Sequence, residues 1–274
     1  NTQTPTNTST PTPTPSTAGG DPDANAYLEA VVSAGGTGIT STVSAATQTL
    51  FTSLKSAGVY SKLDALYPFL GGTAASAKWN AKNPVDTDAA FRLVFAGGVT
   101  YSQEKGIIGN GANANASTFW IESAQTPTSA STTIGYFISQ TGTTGFEMGV
   151  QYPAGWLFIQ SSNGTNTRGS IQTTTLNTLT ATTNAQGINF FGLTRTNNSQ
   201  VSFVRAGGGV QTITQNTNAV RSPNPVGILQ ALGFGGYTNR GLGSAFLGDG
   251  LTTTELGNLR DAITTFNTTL GRNI

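Results

Sequence analysis

Residues 134–158 read IGYFISQTGTTGFEMGVQYPAGWLF, with apolar side chains at every second position: Ile134, Tyr136 and Ile138, then Phe146, Met148 and Val150, then Trp156 and Phe158. Successive side chains of an extended chain point to opposite faces, so each set paves one face of a β-strand. The sets are separated by Gly- and Thr-rich residues 141–145 and by Pro153-Ala154-Gly155, where the chain can reverse. The stretch predicts three consecutive strands, each with one buried face.

The same alternation extends outward from this stretch. Downstream it recurs in Ile188/Phe190 and Val201/Phe203, and upstream it begins with Phe91, Leu93 and Phe95. Residues 196–199 (Thr-Asn-Asn-Ser) and 206–209 (Ala-Gly-Gly-Gly) are hairpin turns of an antiparallel meander. Many short strands at this spacing mean a mainly β, two-sheet jelly-roll sandwich. Phe91, Leu93, Phe95, Trp156, Phe158, Phe190 and Phe203 are expected to fill the core between its sheets.

Helices flank the strands. Asp21-Pro22 is an N-cap and N1 pair ahead of Tyr27, Leu28 and Val31, and Thr40 caps a second helix carrying Val43, Leu50 and Leu54. Ser61 to Tyr67 offers further helical turns, ended by Pro68. Thr252 and Glu255 form a capping box for a last helix whose Leu256, Leu259, Ile263, Phe266 and Leu270 step by three and four up to Gly271. Before all of these, Pro5, Pro11, Pro13 and Pro15 alternate with Thr, Asn and Ser, which favours extended polyproline backbone and an anchoring stalk. The expected division is a stalk over 1–20, a helical region packed on the sandwich over 21–72, and a jelly roll over 73–274 that includes the helix at 252–270.

Composition narrows the function. Charged residues are 9% of the 274, the net charge is +1, and Cys and His are both absent. That excludes thiol and imidazole catalysis and nearly all zinc chemistry, and it gives no positive field for nucleic acid. No apolar run approaches the ~20 residues that span a bilayer, so no membrane insertion is expected. The chain opens without Met or an apolar leader, as a fragment or a processed product would.

Three stretches carry a family resemblance: Leu66 to Thr73 with Lys78-Trp79-Asn80, Asp86 to Leu93, and Phe246 to Thr252 leading into Phe266 to Arg272. In this order they resemble a family of phage and prophage virion structural proteins with a concanavalin A-like, laminin-G-like jelly roll. The resemblance covers roughly 24–274 and departs at 76–79 and 110–117. It implies a fibre, spike or capsid decoration module at the virion surface, bound to other virion proteins through the stalk, homo-oligomeric with a trimer favoured, and able to contact a host surface glycan. A secreted lectin or a glycoside hydrolase of concanavalin-like fold is the alternative.

Glycoside hydrolysis needs two carboxylates ~5 to 9.5 Å apart, and the strand residues Glu147 and Glu122 each lack an acidic neighbour at i+2 or i+4. No enzymatic activity is expected. Asp86 and Asp88, with Asp249, could hold calcium through oxygen; the competing reading makes Asp86 an Asx turn and Asp249 part of a Gly-Asp-Gly turn. Trp120, Tyr136, Tyr152 and Tyr237 are candidate platforms for sugar rings, with Asn and Gln amides bonding hydroxyls, although a strand aromatic also serves as core.

Overall fold

The structure is a computed structural model that describes residues 19–125, 130–143, 145–161, 166–180, 187–205, 207–217 and 220–272. The stalk prolines Pro5, Pro11, Pro13 and Pro15 lie outside the described residues. Two eight-stranded, predominantly antiparallel sheets face each other. Sheet one contains β1 (Leu63–Tyr67), β3 (Thr100–Ser102), β4 (Gly106–Ile108), β6 (Thr132–Gln140), β11 (Asn189–Arg195), β12 (Gln200–Arg205), β13 (Gln211–Thr214) and β16 (Gly241–Gly248). Sheet two contains β2 (Val94–Ala96), β5 (Asn115–Ile121), β7 (Met148–Tyr152), β8 (Gly155–Gln160), β9 (Thr167–Thr173), β10 (Thr178–Thr180), β14 (Pro225–Ile228) and β15 (Ala231–Leu232). The helices are α1 (Pro22–Ser33), α2 (Ser41–Ser56), the single turn α3 (Ala74–Ala77) and α4 (Thr253–Thr269).

The architecture is the expected mainly β sandwich, with a helical third layer over sheet one. Ile134, Tyr136 and Ile138 of β6, Ala245 and Leu247 of β16, and Phe191 and Leu193 of β11 point into the space between the sheets. Phe137, Phe246 and Phe190, their neighbours along the same strands, point the other way, under α4. Phe190 and Phe246 stack with ring centroids 5.4 Å apart, and Leu256, Leu259, Ile263 and Phe266 of α4 close over them. Tyr27 of α1 stacks on Phe51 of α2 in the same layer. The caps form as their sequences dictate: the Asp21 carboxylate accepts from the N–H groups of Asp23 and Ala24, and Thr252 with Glu255 closes the box that starts α4.

Three expectations need correction. Ser61 to Tyr67 is not helical; after a 3₁₀ turn at Tyr60–Lys62 it becomes β1, because Leu63, Leu66 and Tyr67 can bury against β16 on an edge that a helix could not pair. Phe91 does not begin a strand; it adopts the left-handed conformation at φ 57° after a 3₁₀ turn, and β2 starts at Val94. Phe190 is core but belongs to the helix side of sheet one, and Trp156 and Phe158 lie on the face of sheet two turned away from sheet one, where Leu157 and Ile159 point inward instead.

The three stretches behind the family resemblance fold into one knot. Leu66 pairs with Phe246 in the β1–β16 ladder, and the Asn80 side chain accepts from the N–H of Leu66 while donating to the carbonyls of Asp64 and Ala90. The Tyr67 hydroxyl donates to the Phe91 carbonyl at 2.6 Å. Arg272 closes the knot by donating to the carbonyls of Pro68, Phe69, Gln103 and Gly243, with every guanidinium nitrogen engaged. These residues build the frame.

Candidate functional site

The structure removes three of the four candidate sugar platforms from the surface. Trp120 is buried between the sheets and its indole N–H donates to Asp64 Oδ2 at 2.8 Å. Tyr136 is fully buried and donates to Glu147 Oε2 at 3.0 Å. Tyr152 is buried with its hydroxyl on the Val220 carbonyl at 2.6 Å, and burial pushes its pKa up. Each ring fills core while its polar tip finds a partner far away in sequence, as a buried Tyr or Trp requires. Tyr237 alone of the four is half-buried at the surface.

Around Tyr237 three loops converge at one end of the sandwich. The β6–β7 loop is joined to the β15–β16 loop by the Phe146 N–H on the Gly236 carbonyl (2.6 Å) and by Thr143, whose N–H and hydroxyl both donate to Asn239 Oδ1. The β4–β5 loop joins them through the N–H of Gly109 on the Arg240 carbonyl and that of Gly111 on the Thr238 carbonyl, each at 3.1 Å. Asn110 stiffens this last loop, its Oδ1 accepting from the N–H groups of Ala112, Asn113 and Ala114. No residue in 97–98, 109–113, 141–143 or 233–239 is charged. The face is neutral and rich in amides, hydroxyls and glycine.

The same β15–β16 loop also carries Phe234, which the sequence reading missed. It is 51% exposed, and its ring meets Trp156 at 5.1 Å and Phe146 at 5.3 Å, both edge-on. Phe146, Trp156 and Phe158 form a buried cluster with Ala231 on the outer face of sheet two, so a rigid base supports an exposed ring. Gly233, Gly235 and Gly236 all have positive φ, and Gly236 could not carry a Cβ without meeting Phe146 at 2.8 Å. The available signal was one aromatic isolated inside Gly233-Phe234-Gly235-Gly236, outside any strand period: a large apolar side chain on a tight turn has no core to enter.

The acidic candidates do not gather into one site. Asp86 pairs with Lys78 at 2.6 Å and with Arg92 at 3.4 Å, and Asp88 pairs with Arg92 at 2.7 Å. The hydrogen bond from Lys78 holds the Asp86 carboxyl below its ordinary value. Asp249 lies elsewhere, near Asp64; burial, and then the Asp64 charge, push its carboxyl up, while burial raises Asp64 against the opposing bond from Trp120. Among the described residues no three His, Cys, Asp or Glu side chains come together to hold a metal. Glu122 and Glu147 are fully buried, Glu122 accepting from Thr132, Gln172 and the Ser222 N–H, and Glu147 from Tyr136, Ser161 and Arg240.

No family model matches the chain, and no curated protein sequence matches it. Solved structures similar to it include domain 4 of AbnA, a GH43 extracellular arabinanase from Geobacillus stearothermophilus in complex with arabinotriose, at 13% identity and a TM-score of 0.47, covering 73% of this chain and 98% of that one. The receptor binding domain of the botulinum neurotoxin C/D mosaic serotype is similar at 8% identity and a TM-score of 0.48, covering 74% of this chain and 51% of that one. Trypanosoma rangeli sialidase in complex with sialic acid is similar at 14% identity and a TM-score of 0.46, covering 77% of this chain and 38% of that one.

Proposed function

We propose that this chain is a non-catalytic attachment module of a phage-type virion surface, which offers the neutral loop face to an uncharged glycan on the host and joins the particle through its Thr/Pro-rich residues 1–20. The observation that carries the binding reading is Phe234, a half-exposed ring held edge-on by buried Trp156 and Phe146 in a loop that carries no charge. A sugar presents a C–H face to such a ring and hydroxyls to Asn and Thr side chains, with no charge to desolvate. The virion assignment rests on the family resemblance of the three interlocked stretches. The non-catalytic assignment is supported by Glu122 and Glu147, whose oxygens are occupied by buried donors rather than turned toward a substrate. A trimer would multiply weak contacts by effective concentration.

The test has two arms. Purified protein is screened on a glycan array and by titration, with Phe234→Ala as control; binding to neutral glycans that the substitution abolishes supports the face. Intact particles are imaged with a label against the chain; a chain absent from particles overturns the virion role and favours a secreted lectin.

A further inference from the structure

Directly beneath the loop face lies a fully buried ion pair, Glu147 with Arg240, both at 0% exposure. We infer that this pair positions the binding face: its job is to hold the three loops in register rather than to add stability. The inference rests on the reading of that face as the binding face.

The chain places the two residues at the hinges of the loops. Glu147 follows Phe146 of the aromatic base and begins β7's approach, and Arg240 follows Asn239 and leads into β16. Their backbones extend the clamp, since the Glu147 carbonyl accepts from the Leu229 N–H at 2.7 Å and the Arg240 carbonyl from the Gly109 N–H. Ser161 bridges the pair, its hydroxyl within 3.0 Å of Glu147 Oε1 and 2.8 Å of Arg240 Nη1, and its N–H donates to Glu147 Oε2. All three loops that build the face are therefore tied to this one pair.

The internal contrast with Arg272 separates positioning from stability. Arg272 has every guanidinium nitrogen bonded to backbone carbonyls, the arrangement expected of a structural lock. Arg240 engages Glu147 and Ser161 through Nη1, while among the described residues its buried Nε and Nη2 have no hydrogen-bond partner. A buried pair with unsatisfied donors is a poor stabiliser, and well-packed apolar residues commonly replace such a pair at little cost. What it does supply is a directional link that apolar contacts lack.

The experiment replaces both charges at once, because either single change strands a buried charge. Glu147→Gln with Arg240→Met, in which the amide oxygen can still accept from the Tyr136 hydroxyl and the Ser161 N–H, is compared with the unaltered chain by thermal melting and by hydrogen exchange resolved along the sequence. Positioning predicts a melting temperature close to that of the unaltered chain, with exchange faster by about tenfold or more confined to 109–111, 141–147 and 229–240. Unchanged exchange in these loops, or a uniform rise across both sheets, overturns the inference. A double variant that does not fold or melts far below the unaltered chain overturns it as well. Ser161→Ala, which removes only the bridging hydroxyl, is the second variant: a loop-confined rise is expected, and no rise overturns the inference. Neither readout needs a ligand, so a chain that binds no glycan yet responds in these loops would defeat the glycan reading and leave the positioning role standing.

Discussion

Phe234 meets Trp156 edge-on, with ring centroids 5.1 Å apart and planes at 66°; one ring is half in solvent and the other is buried. The buried partner fixes the exposed one, so stacking a ligand on Phe234 costs little ordering of the protein. Phe234→Ala should therefore weaken glycan binding at least about tenfold, the equivalent of ~1.4 kcal/mol, with little change in melting temperature. Calorimetric titration beside a thermal melt checks this, and equal affinity in both proteins would move the site elsewhere.

Arg272 should behave in the opposite way. Replacing it with Met leaves the carbonyls of Pro68, Phe69, Gln103 and Gly243 without their donor in a buried setting, at a cost of roughly 3 kcal/mol or more. Urea unfolding of Arg272→Met measures the loss. A midpoint near that of the unaltered chain would show that the knot is held by the β1–β16 ladder alone.

Asp64 and Asp249 make a pH signature with a definite sign. Both carboxyls are raised above the ordinary 3.8 in the folded chain, chiefly by burial. The native state then binds more protons than the unfolded one, so their contribution is fully present below about 3.8 and is lost as pH rises through the folded values. Asp64→Asn carries no such penalty; its stability relative to the unaltered chain should improve between pH 3.5 and pH 7. Melting at both pH values reads the difference, and a change in the opposite direction would mean that the Trp120 bond outweighs burial.

Deleting residues 1–17 should leave the fold intact, because that Thr/Pro-rich segment has no large apolar side chain to bury, and Asp21, which caps α1 and pairs with Lys55 at 2.7 Å, is retained. The truncated chain should keep its melting temperature and lose incorporation into particles. Normal incorporation would shift the anchor to the sandwich or its helical layer.

Local signals were legible in the sequence. The caps at Asp21, Thr40 and Thr252 with Glu255, and the Asn197 turn whose Oδ1 accepts from Ser199 and Gln200, are bonds between residues three or fewer apart, so their chemistry can be read from neighbours. The period-two runs revealed strands for the same reason. The loop face was read from the sequence through Tyr237; Phe234, isolated among glycines, gains its support only once Trp156 and Phe146 lie beneath it.

By itself, then, the sequence determined a β-rich sandwich with capped helices at both flanks, a neutral surface and no thiol or imidazole chemistry. Tertiary structure decided which face each strand turns where. Trp156-Leu157-Phe158-Ile159 and Phe190-Phe191 are apolar on both sides, and a strand covered on both sides has no polar face to set its orientation. Tertiary structure also decided which aromatics are core and which carboxylates are occupied. Trp120 needs Asp64, Tyr136 needs Glu147 and Glu147 needs Arg240, partners 56, 11 and 93 residues away that only folding brings within hydrogen-bond reach.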